Sequence, residues 1–212
     1  MHSTNRRSVS TLALLVCAGV LATGAGAADL ERGEALFTLC SQCHGADAAG
    51  NEAYLAPAIA GLDAWYVAAQ LRLFRKGGRG THFDDLAGMR MRPMALTLRN
   101  EEDVDAVAAY VASLPRVALD RTLDGDPAKG KASYAVCAGC HGMDATGNKG
   151  VMAPSLHNSD WYLFRQMQNY KAGVRGTNPV DNFGMAMRPM AMTLPTDEAV
   201  KNVIAYIMSL SK

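Results

Sequence analysis

The sequence predicts an all-α protein made of two tandem domains, each of about three helices separated by long loops. Three observations lead there. Landmark strings recur at a step of 96 or 97 residues: Trp65-Tyr66 with Trp161-Tyr162, Arg79-Gly80-Thr81 with Arg175-Gly176-Thr177, and Met-Arg-Pro-Met-Ala from Met91 and again from Met187. That step exceeds the ~20–50 residues of a solenoid repeat and is the size of a small domain. Apolar residues fall at helical spacing, as in Val104, Val107, Val111 and Leu114 and their counterparts Val200, Val203, Ile207 and Leu210, with no alternating strand pattern. Loops of ~20 residues, finally, are hard to hold in a compact domain unless a large apolar group organises them.

The elements follow in chain order. Arg6 and Arg7 precede an apolar run from Leu12 to Leu21 and the small residues Ala22 to Ala28. Residues 1–28 therefore read as a signal peptide, cut after Ala27 or Ala28. An uncleaved anchor is disfavoured by the short run, and lipidation at Cys17 by the bulk of Val16. Unit one spans 29–118 and unit two 119–212. Pro115, Asp120, Asp124, Gly125 and Asp126 mark the linker. The first helix of each unit is expected near 30–39 and 127–136, the second with Asp126 as N-cap and Pro127 at its first position. The next helices are expected at 63–76 and 160–172, stopped by Gly77-Gly78 and Gly173. The last are expected at 101–114 and 197–210, capped by Asn100 and Thr196.

Composition narrows the class. Hydrophobic residues make up 49% and charged residues 19%, which excludes disorder for most of the chain. The net charge of +1 gives no case for nucleic acid, and no apolar stretch makes an integral membrane span in the mature chain.

The cysteines carry the chemistry. Without the leader four remain, as Cys40-Ser-Gln-Cys43-His44 and Cys137-Ala-Gly-Cys140-His141. Two thiols three positions apart can each add to a vinyl group of one haem, and the next histidine then sits under the iron. A redox disulfide would belong beside a βαβ pattern, which is missing. One four-cysteine zinc site would use spacings shorter than 97 residues. Two covalently bound c-type haems are therefore expected, with His44 and His141 as iron ligands. For the sixth position His82 faces Asn178 in the repeat and His157 has no counterpart, so both read as loop residues. Met89, Met91 and Met94 do repeat, as Met185, Met187 and Met190. A thioether is a soft, uncharged ligand that suits ferrous haem. Only one methionine per cluster can bind; the others read as packing.

On these residues each unit resembles a class I cytochrome c domain. The mature chain resembles the dihaem cytochrome c4 group, two such domains fused. Gly33-x-x-x-Phe37 and Gly130-x-x-x-Tyr134 match the family's glycine and aromatic where first and last helices cross, and the resemblance makes Tyr110 and Tyr206 their partners. It also places the axial methionine seven residues before the leucine that opens the final helix. Leu98 and Leu194 then select Met91 and Met187. The family often has Met-Arg-Gly there and this chain has Met-Arg-Pro twice, which leaves Met94 and Met190 as alternatives.

Two filled axial positions leave no open coordination site, so the expected work is electron transfer without catalysis. The expected protein is a periplasmic shuttle between a quinol-oxidising complex or dehydrogenase and a terminal cytochrome oxidase. The alternatives are a dihaem peroxidase, a thiosulfate-oxidising cytochrome, or the electron-accepting subunit of a dehydrogenase. Arg72, Arg75, Arg79, Arg165 and Arg175 are candidates to pair with haem propionates. Asp84-Asp85 reads as a solvated loop. Unit one carries 9 basic and 12 acidic residues, unit two 10 and 8, a polarity of −3 against +2.

Overall fold

The computed structural model describes residues 24–210. The charged start and apolar run of the expected signal peptide lie outside the described residues. Unit one contains α1 (Gly24–His44), α2 (Ala64–Arg75), α3 (Leu86–Leu96) and α4 (Glu101–Ser113). Unit two repeats them as α5 (Pro127–His141), α6 (Asp160–Lys171), α7 (Asn182–Met192) and α8 (Asp197–Leu210). One 3-10 turn follows α1 and another α5, at Glu52–Tyr54 and Lys149–Val151. Among the described residues there is no strand, only the bridges Asn51 to Ala56 and Asn148 to Ala153.

Local chemistry explains most of these boundaries. The side chain of Asn100 accepts from Asp103 N at 2.9 Å and opens α4. Asp126 accepts from Ala128 N at 2.8 Å with Pro127 at the first position of α5. Thr196 Oγ1 accepts from Ala199 N at 3.1 Å and opens α8. Helices α2 and α6 stop ahead of Gly77 and Gly173, at φ +74° and +75°.

Two expectations are corrected. The first helices do not end near 39 and 136. Nothing breaks them before Gly45 and Gly142, at φ +82° and +81°, so the whole Cys-x-x-Cys-His motif is helical. Each unit also has four α-helices rather than about three. The methionine clusters lie on the short helices α3 and α7, although Pro93 and Pro189 fall inside them. Each proline removes one backbone bond, and its helix runs only three residues further. What starts them is Asp85 and Asp181, which accept from Gly88 N at 2.9 Å and Gly184 N at 2.8 Å. Asp85 is thus a buried cap and not part of a solvated loop.

The units are built around one crossing each. At Gly33 a side chain would collide with the Ala106 carbonyl on α4, and at Gly130 with the Asn202 carbonyl on α8. Glycine lets the two backbones touch. Beside the crossings the rings of Phe37 and Tyr110 pack at 5.4 Å, and those of Tyr134 and Tyr206 at 5.3 Å. Val104, Val107 and Val111 of α4, and Val200, Val203 and Ile207 of α8, form the buried faces that the periodicity predicted. The units touch through α2, α6 and the loops after them, where Asn178 Nδ2 donates to the Gly77 carbonyl at 2.9 Å.

Candidate functional site

The site of each unit is set by the end of its first helix. Helical spacing puts Cys40 and Cys43, and Cys137 and Cys140, one turn apart on one face. All four thiols are free. Burial pushes the Cys40 thiol up to about 11 and raises Cys137 as well, so both stay protonated at neutral pH. Among the described residues no group of three His, Cys, Asp or Glu side chains could hold a metal ion, so the two pairs do not converge on a zinc site.

His44 and His141 are buried, each 7% exposed, and held alike. Nδ1 of His44 lies 2.9 Å from the Pro57 carbonyl, and Nδ1 of His141 lies 2.8 Å from the Pro154 carbonyl. A carbonyl can only accept, so Nδ1 carries the proton and Nε2 presents its lone pair. Burial lowers both rings below the ordinary histidine range and keeps them neutral. A tethered neutral imidazole with Nε2 free is the state an iron ligand requires.

In unit one these groups open into a cavity of about 470 Å3 with a mainly apolar lining, including Phe37, Ile59, Leu71, Phe74 and Val107. Cys40, Cys43 and His44 stand on one side, Met91 and Met94 on α3 on another. Met91 and Met187 are half-buried, whereas Met89, Met185 and Met190 are exposed. The structure therefore gathers the cysteines, the histidine and two methionines of unit one, Met91 and Met94, around one space.

The arginines separate into two kinds. Arg72 pairs with Glu101 at 2.6 Å and Asp105 at 2.6 Å, and Arg75 with Glu101 at 2.8 Å; these are surface ion pairs. Arg165 is half-buried on α6. Arg79 and Arg175 are buried, and the Nε of each lies without an acceptor. Arg79 lines the cavity with Gln70, whose Nε2 is likewise unpaired. An apolar cavity walled by two thiols and a neutral histidine, with orphaned cationic N–H groups at its polar end, fits a haem and its propionates. Sequence reasoning passed over Gln70 and Gln166. The signal was available: each is a polar residue on the inward face of the second helix, 96 positions apart. His82 is half-exposed beside Asp84, and His157 bonds to Arg116 at 2.8 Å and the Asp144 carbonyl at 3.1 Å.

Comparison with known proteins agrees with this geometry. The cytochrome c family profile matches residues 30–115 and again 127–211. The thiosulfate dehydrogenase electron acceptor of Stutzerimonas stutzeri is 30% identical over 184 residues, 82% of this chain and 79% of that one. A cbb3-type cytochrome c oxidase subunit, CcoP of Rubrivivax gelatinosus, is 32% identical over 85% of this chain, which spans only 54% of that subunit. Reduced cytochrome c4 from Pseudomonas stutzeri superimposes with a TM-score of 0.66 at 26% identity, over 84% of this chain and 97% of that one. Repeated motifs, repeated geometry and a repeated match describe a two-domain, electron-transferring protein with two covalently bound c-type haems: the chain belongs to the cytochrome c family.

Proposed function

We propose that the chain is an exported, periplasmic electron carrier whose two irons are held by matched ligand sets. In this reading Cys40 and Cys43 bind one haem and Cys137 and Cys140 the other. His44 and His141 are the proximal ligands, Met91 and Met187 the distal ones. The observation that carries it is the duplication of one site, with the same histidine–proline bond at 2.9 and 2.8 Å and a half-buried methionine on the same short helix in both units. Met94 also lines its cavity, but its counterpart Met190 is 39% exposed, so of the three methionine pairs only Met91–Met187 is half-buried in both units.

The bound group supplies a one-electron ferric/ferrous couple. The chain's own residues hold the ligands and exclude water. The proline carbonyls fix the imidazole planes, and the apolar walls keep solvent from the metal. The reading places the domain boundary in the linker between Pro115 and Asp126, giving units 29–118 and 119–212. The charged start, apolar run and small residues of 1–28 support export. Among the described residues no helix is long and apolar enough to cross a membrane.

The donor in this reading is a dehydrogenase or quinol-oxidising complex and the acceptor a terminal oxidase. The names of two relatives, an electron acceptor and an oxidase subunit, support that order. The competing reading, an enzyme oxidising thiosulfate itself, is favoured by the substrate in the first name and by a likeness to the solved thiosulfate dehydrogenase TsdBA of Marichromatium purpuratum, at a TM-score of 0.68 and 29% identity over 85% of this chain and 40% of that one. Stopped-flow mixing of the oxidised protein separates them. A carrier stays oxidised with thiosulfate alone and is reduced when a thiosulfate-oxidising dehydrogenase is added. Turnover of thiosulfate or peroxide by the isolated protein at roughly 1 per second or faster contradicts the carrier.

A further inference from the structure

Two cationic side chains are buried where the units meet. Arg79 and Arg175 are each 7% exposed. Arg79 donates from Nη1 to Gln70 Oε1 of its own unit at 2.6 Å, and from Nη2 to Gln166 Oε1 of the other at 3.3 Å. Arg175 mirrors it, with Gln166 at 2.8 Å and Gln70 at 3.1 Å. Each amide oxygen therefore accepts from both arginines, and the four side chains close a ring across the boundary.

The ring has two positive charges and no negative member. The Nε of each arginine is buried without an acceptor, as is Gln70 Nε2. Buried like charges repel and lose hydration; the rings of Phe74 and Tyr170, 4.5 and 4.8 Å from the two guanidiniums, offset part of that cost and an anion would offset more. The chain supplies half of one. Asp181 Oδ2 lies 3.6 Å from Arg175 Nε, too far for a hydrogen bond. Among the described residues no carboxylate pairs with Arg79. The cavity holding Cys40, Cys43 and His44 runs up to Gln70 and Arg79, and past them to Gln166 of the other unit. The propionates are the anionic groups a haem brings to such a place.

We propose that this ring is one anion site shared by the propionates of both haems, so that each arginine raises the reduction potentials of both. Arg79 shares its charge with no carboxylate among the described residues and is the stronger of the two. A positive charge favours the form that has gained an electron, so its removal disfavours reduction. A contact confined to one unit would act on one haem only; the crossed bonds make both respond.

This inference rests on the two-haem carrier, and one experiment separates them. Redox titration of the intact holoprotein, followed by absorbance, must first show two one-electron steps, which tests the carrier. In R79Q both steps are then expected to fall, each about tenfold in reduction equilibrium constant, or 59 mV for one electron. R175Q is expected to lower both by less. R79K, which keeps the charge, should stay within about threefold of the unmodified protein, and R72Q on the surface should leave both steps in place. Two steps in the unmodified protein with only one step moved in R79Q overturn the shared site, as does a fall in R79K as large as in R79Q. If R79Q does not mature with two haems, R175Q decides alone: both steps must fall, and one left unmoved contradicts the proposal.

Discussion

The two units build the same site and stabilise it by different means. In unit one a buried carboxylate ties the first helix to the last. Asp103 on α4 accepts from Arg32 Nε on α1 at 2.9 Å and from the Arg99 backbone N–H at 2.9 Å. Its counterpart in unit two is Ala199, and there the ion pair between the same two helices is the exposed Lys129–Glu198 one at 3.5 Å, beside a bond from the Asp126 N–H to Asn202 Oδ1 at 2.7 Å. Unit two places a buried carboxylate against the linker instead. Asp160 accepts from Thr122 N at 2.6 Å, Thr122 Oγ1 at 2.8 Å and Leu123 N at 2.9 Å, where unit one has Ala64. The glycine crossing, the histidine–proline bond, the capped methionine helix and the arginine–glutamine pair are common to both. The difference teaches that the two units share the residues that line and position the site and differ in the contacts that brace the scaffold around it.

That comparison can be broken most severely at the cysteines. Replacing Cys137 and Cys140 with serine should leave one haem on unit one, and replacing Cys40 and Cys43 one haem on unit two, each seen as the loss of one haem mass in the intact-protein spectrum. Loss of both from either change would show that the units do not mature independently. At the helix crossing, G33A and G130A should each cost about 1–3 kcal/mol, because the added carbon meets a backbone carbonyl that cannot move aside. Urea unfolding should give similar values for the two, and a large difference would mean that one crossing is looser than the other.

The scaffold carboxylates should behave unequally. Donation by Arg32, then by the Arg99 backbone, holds the Asp103 carboxyl down at about 2, against an ordinary 3.8. A depressed carboxylate adds stability above its unfolded value and loses it as pH falls through the folded value. D103N should therefore cost about 1–2 kcal/mol at pH 7. The gap to the unmodified protein should close between pH about 4 and about 2, and a gap that persists below pH 2 would remove the carboxylate from the explanation. D160N should leave unit one unchanged and expose the linker, read as faster protease cleavage near Thr122. The smallest effect belongs to Arg72, whose half-exposed ion pairs should contribute about 0–1 kcal/mol.

Much of this was legible in the sequence because the repeat tests each reading twice. Helices α4 and α8 are legible from apolar spacing and the caps Asn100 and Thr196, and α2 and α6 from the glycine stops at Gly77 and Gly173. The short methionine helices did not, because Gly88, Pro93 and their counterparts resemble loop residues. Only the folded chain shows Asp85 and Asp181 capping them. The five arginine candidates looked alike for a related reason. Whether a charge meets a surface glutamate or a buried amide of the other unit depends on how the units dock, and local sequence does not encode that. Gln70 and Gln166 carried a positional signal, a repeated polar residue on an inward helix face, but not their role, because an amide acquires that only from the two arginines that share it.

In the proposed carrier both irons have the same filled ligand set. Carbon monoxide titration of the fully reduced holoprotein, followed by absorbance, tests it most directly. No spectral change is expected in the unmodified protein, and one equivalent bound per chain in each of M91A and M187A. Binding of one equivalent by the unmodified protein would show one open iron and two unequal sites.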